Sequence, residues 1–322
     1  MGLVGGSAMT PGMLVLVRRL CTKPPSRRPW YLAPLDRFER WLQTKHPAAY
    51  KVQRTVVDGG QHCFADLKMY YRVSTSMKQG KPLEQFTRQE LEVYILTPAD
   101  IEKLAIIAFV IALPMTIFIM AIALVFFPRL MLTRHFWTLE QTERFRSIIL
   151  EKRRKFHYGH IADSLAAEVQ KLSSGQSSLA VEFVKSLKNP PITLGQLEDN
   201  YASIVEQVKF DSLPPTYQFH LARAHGLWTW GSNSASRLRL HAQVLAELDS
   251  KLRTERIDDL SLPDLKQSLY IRQFDVLQLS DEEERQLLKD WLSLTKRDSS
   301  NSVILHAPVI AQLHLKQKAT PK

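Results

Sequence analysis

The sequence predicts an all-α protein with a single transmembrane helix. Three observations carry this: one apolar run of 24 residues from Leu104 to Phe127, a series of helix-capping signals after it, and no convincing apolar–polar alternation over a strand's length except near the end. The chain has 322 residues, 45% of them apolar, which suffices for a sizeable core and excludes a disordered chain. Its two cysteines, Cys21 and Cys63, cannot supply a disulfide framework or a Cys-rich metal site.

The run "LAIIAFVIALPMTIFIMAIALVFF" has no charge, and Thr116 is its one polar side chain. As a helix it would extend roughly 36 Å, longer than a typical hydrocarbon core. Pro114 withholds a backbone donor and predicts a kink, which bilayer helices tolerate where a neighbour covers the freed carbonyl. With no ionisable group inside it, a lone helix offers no path for an ion, so transport by this chain alone is disfavoured. Residues 84–103 before the run hold two basic and five acidic residues, and residues 128–147 after it hold four arginines and two glutamates. The positive-inside rule then places the carboxyl side in the cytoplasm, or in the matrix of a mitochondrion.

Charge also marks the amino terminus. Of the formal net charge of +11, five units fall in residues 1–35, where Arg18, Arg19, Lys23, Arg27 and Arg28 follow a short apolar stretch and no acid occurs. A secretory signal places its charges first, so this order predicts a mitochondrial transit peptide of about 35 residues. The expected organisation is a leader (1–35), a helical region on one side of the membrane (36–103), a span with its ends at Leu104 and Phe127, and a helical body on the other side (128–322). In the second of these, Trp41, Phe64, Tyr70 and Tyr71 are expected mainly in the core.

The stretch "FFPRLMLTRHFW" continues past the run with large apolar residues interleaved with charge. Arg129, Arg134 and His135 can reach lipid phosphates while Trp137 and its apolar neighbours suit the headgroup layer, so an interfacial segment is expected. A capping box at Thr138 and Gln141 starts a helix, with Phe145, Ile148, Ile149 and Phe156 at helical spacing. Leu197, Tyr201, Ile204 and Val208 repeat the pattern. "SLPPTYQFHLARAHGLWTW" opens a further helix on its prolines, and Leu238, Leu245, Leu248 and Leu252 mark another. "SGQSS" (174–178) and "KNPP" (188–191) read as loops, and "NSVILHAPVI" as strand or helix.

Near the carboxyl end, "LSLPDLKQSLYIRQFDVLQLSDEEERQLLKDWLSLT" places a cap at Ser261 with Asp264 and another at Ser280 with Glu283. Leu265 and Leu269, then Leu288, Trp291 and Leu292, form the apolar faces of the two helices. This stretch, with "FPRLMLTRHFW" directly after a membrane run, resembles the LETM family of leucine-zipper, EF-hand-containing transmembrane proteins, in its shorter LETM-domain-containing branch. The resemblance covers most of residues 60–315. It implies a mitochondrial inner-membrane protein with one span, an intermembrane-space amino side and a helical matrix domain similar to the 14-3-3 fold that binds the mitochondrial ribosome. The chain departs from the founder by ending without the long coiled coil and EF-hand, and by Gln273 where the family motif usually has Gly after Arg272.

No set of residues supports catalysis: there is no phosphate loop, zinc-spaced Cys pair or nucleophile elbow, so neither an enzyme nor a cofactor is expected. His157 and His160 have helical metal-ligand spacing without a third ligand close in sequence, and read as a surface pair. The acidic run Asp281–Glu284 complements a helix amino terminus. The best contact candidate is the tetrad Lys152, Arg153, Arg154 and Lys155, which on a helix points around much of the circumference and must partly meet water, phosphate or lipid. The expected partners are the mitochondrial ribosome and inner-membrane lipid, with self-association left open and no small-molecule substrate. The expected role is support of translation or assembly of respiratory-chain subunits. The alternatives are a component of a cation/proton exchange system and a nucleic-acid-binding helical module.

Overall fold

In a computed structural model of the chain, residues 41, 43–111, 129, 132–172, 178–187, 193–208, 213–229, 233–297 and 300–313 are described. The transit-peptide segment, Cys21, residues 112–127 of the apolar run and most of the two expected loops lie outside them. The chain divides into two units, residues 1–58 and 59–322, with the boundary inside α1 (Pro47–Lys78). In the first unit, Trp41 meets His46 edge-on at 5.2 Å between ring centroids, and Arg54 lies 3.4 Å from Asp58.

The described residues are helical and include no strand. In the second unit, α2 (Arg88–Ile111) starts from a reciprocal cap in which the Thr87 hydroxyl accepts from the Glu90 N–H at 3.3 Å and the Glu90 carboxylate accepts from the Thr87 N–H at 2.9 Å. Its last eight residues, Leu104–Ile111, are the start of the apolar run. Among the described residues no helix is long and apolar enough to cross a membrane. Beyond the run come α3 (Leu139–Arg153), α4 (Gly159–Leu172), α5 (Ser178–Ser186), the short α6 (Leu194–Gln196) and α7 (Ala202–Glu206). They are followed by α8 (Pro215–Ala224), α9 (Ser234–Thr254), α10 (Leu262–Ile271), α11 (Asp281–Arg297) and α12 (Asn301–Gln312).

The expected caps form. Thr138 and Gln141 satisfy each other's backbone donors, as do Ser280 and Glu283, and Pro215 takes the first turn of α8. At Ser261 the hydroxyl accepts from the Asp264 N–H at 3.4 Å but donates to the Asp264 carboxylate at 2.7 Å, so that cap is one-sided. "NSVILHAPVI" resolves as helix: α12 is buried on nearly every side, which erases the polar stripe that would have identified it.

Two π-turns correct the apolar faces read from sequence. Between α3 and α4, Arg154–Tyr158 form one, and between α6 and α7, Leu197–Tyr201 form another. Each wide turn adds a residue and rotates the succeeding residues by about 100° relative to an unbroken helix. Hence Phe156, expected inside, is 60% exposed while Tyr158 is buried, and Val205 is fully buried while Ile204 packs half-buried against the core.

One core joins both sides of the apolar run. Val73 of α1, Phe86 and Leu91 are buried in the same cluster as Leu245 and Leu248 of α9, Leu265 and Leu269 of α10, Trp291 of α11 and Ile304 of α12. Gln267 donates to Glu92 at 2.7 Å, Lys251 donates to the Glu84 carbonyl at 3.0 Å, and Arg88 lies 3.5 Å from Glu255. Residues 59–103 therefore pack into the helical body that follows the run. Phe64 and Tyr71, expected mainly as core, are exposed, whereas Tyr70 stacks on Tyr94 at 5.6 Å.

At the centre of this body Arg272 is fully buried. Its guanidinium donates to Asp249 Oδ1 at 2.8 and 2.5 Å and to the Ser268 carbonyl at 2.7 Å, while the Trp291 indole N–H donates to Asp249 Oδ2 at 2.9 Å. A desolvated charge pair holds when its polar atoms have partners; here each guanidinium nitrogen and both carboxylate oxygens have one, which ties α9, α10 and α11 together.

Candidate functional site

Two places gather the residues singled out from sequence: the mouth of the apolar run and the basic turn after α3.

At the mouth, the short turn Arg134–Phe136 brings Arg134 between Asp66 of α1 and Asp100 of α2. Arg134 Nη1 donates to Asp100 at 2.6 Å, and the Arg134 backbone N–H donates to the same carboxylate at 3.3 Å. The His135 Nε2 lies 3.0 Å from Asp66, and the Thr133 hydroxyl donates to the Cys63 thiol at 4.0 Å. Burial pushes the Asp66 carboxyl up, but the His135 ring and the Arg134 guanidinium together hold it below its ordinary value. Lys103, the last residue before the run, donates to the Leu132 carbonyl at 3.2 Å and stands 4.5 Å over the Trp137 ring. Gly59 is required by contact, because a Cβ there would come within 2.6 Å of the Phe136 ring.

The Arg134 guanidinium and the His135 ring are thus committed to carboxylates inside the fold instead of reaching outward to phosphate. Trp137 packs edge-on against Phe145 at 5.1 Å. Arg129 and Leu104 are half-buried, and Phe127 lies outside the described residues. Ile101, Ile106 and Phe109 near the end of α2 are exposed.

The basic tetrad splits. Lys152 and Lys155 are exposed and Arg154 is half-buried. Arg153 turns inward: its Nη1 donates to the Gln273 side chain at 2.5 Å, and its guanidinium occupies the space where a Cβ at position 226 would lie. Glycine suits position 226, whose φ of +71° strains any side chain and where a Cβ would displace the Arg153 guanidinium. Arg153, half-buried like Arg154, therefore also serves the fold through Gln273. Gln273 takes φ +69°, the left-handed conformation in which the glycine of the family motif would be unstrained.

The π-turn presents Phe156 beside these lysines and sets His157 against a third imidazole, His220 of α8, with 3.0 Å between the two Nδ1 atoms. His160 stacks on His220 at 4.4 Å, and Phe219, partly exposed, meets His157 edge-on. Sequence separation concealed His220; the one signal available was its place on an exposed turn of α8. Burial, with the His220, Arg223 and Arg153 charges, pushes His157 down to about 4, so the ring is neutral at pH 7. Among the described residues no group is arranged to hold a metal ion. The surface offers exposed ammonium groups interleaved with aromatic and imidazole faces. Such a surface can pair with phosphates and stack on bases.

The model of the LETM1-like, RBD family matches residues 86–310. The chain belongs to the LETM1-like family. That match begins before the apolar run and ends in α12, so the family's ribosome-binding-domain (RBD) region includes α2 together with the helices beyond the run. The chain is similar to LETM1 domain-containing protein 1 of Xenopus tropicalis, 27% identical over 85% of this chain and 80% of that protein. It is similar to the protein of the same name in Homo sapiens, 22% identical over 95% and 94%. A Drosophila melanogaster protein named mitochondrial proton/calcium exchanger is 23% identical over 75% of this chain but only 24% of its own length. No solved structure matches.

Proposed function

We propose that this LETM1-like chain is a mitochondrial inner-membrane protein whose helical body binds the mitochondrial ribosome close to the membrane, supporting synthesis and assembly of respiratory-chain subunits. The role is one of docking rather than catalysis. The ribosome as partner is supported by the family's RBD region over 86–310. The observation that carries the contact is the surface of the basic turn: Lys152, Lys155, Phe156 and His160 are exposed, and the Lys155 ammonium stands 6.0 Å from the centre of the Phe156 ring. Ribosomal RNA presents phosphates and unstacked bases, and binding through lysines to phosphate is sequence-tolerant and steeply salt-dependent. The membrane tether is supported by the uncharged run from Leu104 to Phe127, and the mitochondrial address by the acid-free basic leader. The exchange alternative draws on the name of the Drosophila relative, of which the match covers about a quarter.

The test is co-sedimentation of the full chain with mitochondrial ribosomes across a salt series. The double variant Lys152→Glu, Lys155→Glu is expected to bind about 10-fold or more weakly at low salt, with the slope of log affinity against log salt reduced by about 1 to 2. Unchanged binding at every salt concentration removes the basic turn from the interface.

A further inference from the structure

The π-turn after α3 and the exposed side of α8 bring aromatic rings together. His157 meets Phe219 at 6.3 Å and His220 at 5.3 Å between ring centroids, Phe219 meets His220 at 5.4 Å, and His160 of α4 stacks on His220 at 4.4 Å. Phe156, next to His157 in the turn, is 60% exposed, with the Lys155 ammonium 6.0 Å from the centre of its ring. His160 and Arg223 are exposed, and Phe219 is partly so.

The charge around these rings is one-sided. After burial, the groups that push His157 down to about 4 are His220 and Arg223 of α8, Arg153 of α3 and His160 of α4, each a cation or a base that becomes one. Burial and His160 likewise push His220 down. Glu151 and Asp163, the nearest acids along the chain, are not among the groups that act most on either ring. His306, the one ionisable side chain of α12, is turned to the Tyr217 hydroxyl at 2.7 Å. The two Nδ1 atoms of His157 and His220, 3.0 Å apart, hold one proton between them, one ring donating and the other accepting. A second proton would set two N–H groups against each other, unless an anion arrives to accept one of them. An anion is what this positive field lacks. A bare phosphate or a lipid headgroup would satisfy the charge but leave the exposed faces of Phe156 and Phe219 in water, whereas a nucleotide strand supplies a flat base beside each phosphate.

We infer that the ring cluster, with Phe156, Lys155 and Arg223, is a seat for single-stranded RNA, in which Phe156 stacks on an unpaired base and the His157–His220 pair takes up a proton from solvent to hold a neighbouring phosphate. This rests on the ribosome reading above and narrows its contact to unpaired RNA. Duplex RNA keeps its bases stacked on one another and offers the cluster phosphates alone. The sign of the linkage follows: rings neutral in the free chain and charged in the complex bind protons on docking, so affinity rises as pH falls below the value the ring takes in the complex and is flat above it.

The test titrates the full chain in detergent with a fluorescent oligouridylate of about 12 nucleotides, and with an RNA duplex of the same length, at about pH 7.5 and 5.5. The single strand is expected to bind about 10-fold more tightly at the lower pH, and the double variant His157→Asn, His220→Asn to reduce that gain to about 2-fold or less. Phe156→Ala, at an exposed side chain, is expected to weaken single-strand binding about 10-fold at both pH values, Phe156→Trp to restore it, and neither to change duplex binding. Single-strand binding that Phe156→Ala leaves unchanged, or an equal pH gain in the parent and the double variant, overturns the proposal. If the double variant misfolds, the Phe156 variants and the pH gain of the parent chain decide. Ribosome co-sedimentation separates this proposal from the reading beneath it. Ribosomes held through Lys152 and Lys155 by a chain that ignores the oligouridylate would place the contact on ribosomal protein, and this proposal alone would fall. An oligouridylate bound as expected by a chain that ignores ribosomes would leave the RNA seat standing and remove the ribosome as its occupant.

Discussion

The fold contains two arginine-centred charge clusters, and they differ in what surrounds them. Arg272 with Asp249 and Trp291 lies at the crossing of α9, α10 and α11, where Arg272 and Asp249 are 1% and 0% exposed at their side chains. Arg134 with Asp66 and Asp100 lies at the mouth of the apolar run, where the three side chains are 16%, 21% and 5% exposed. The first cluster joins helices that neighbour one another along the chain. The second joins segments from opposite ends of the apolar run. In the core cluster the partners must be complete because water cannot replace any of them; at the mouth, water and a second carboxylate can share the load, so the pairing fixes geometry at lower energetic stake.

This contrast sets the size of two expected effects. Asp249→Ala leaves the Arg272 guanidinium buried without its counter-charge and the Trp291 N–H without its acceptor, and should cost about 3–5 kcal/mol. Arg134→Ala leaves Asp66 and Asp100 facing one another but partly hydrated, with His135 still beside Asp66, and should cost about 2 kcal/mol. Urea unfolding of the full chain in detergent measures both. Equal losses would mean that the mouth is as dry as the core, and a negligible loss for Arg134→Ala would remove the Arg134 cluster as a structural joint.

The difference between the clusters is also the difference between what could and could not be read from sequence. Caps were legible at Thr138, Ser280 and Pro215 because a cap is completed within four residues. The faces carried by Leu238, Leu245, Leu248 and Leu252, and by Leu288 and Trp291, were legible because an unbroken helix keeps its period, and all six are buried. Phe156 was misplaced because a π-turn shifts the phase without any residue type that announces it. The contact between Asp66 and Arg134, 68 positions apart, leaves no local pattern. Charge counting therefore treated Arg134 and His135 as free to meet lipid. At the basic turn, Lys152 and Lys155 were legible as exposed cations, but the bond from Arg153 to Gln273 was not legible, since its partner lies far along the chain.

Gln273 sharpens the comparison at its smallest scale, because there a local strain and a long-range hydrogen bond oppose each other at one residue. A left-handed φ costs a residue with a Cβ about 1 kcal/mol relative to glycine, whereas the hydrogen bond from the Arg153 guanidinium returns about 1.5–3 kcal/mol. The glutamine thus keeps the strain and uses its side chain to hold α3 against the turn after α10, donating also to the Ile271 carbonyl at 3.3 Å. Gln273→Ala keeps the strain and loses the bond, and should be less stable by about 2 kcal/mol. Gln273→Gly loses the bond but relieves the strain, and should fall about 1 kcal/mol short of the parent chain. The informative quantity is the difference between the two variants in urea midpoint: glycine above alanine supports a strained turn held by Arg153, and equality would mean that the backbone at position 273 relaxes out of the left-handed region once the side chain is gone.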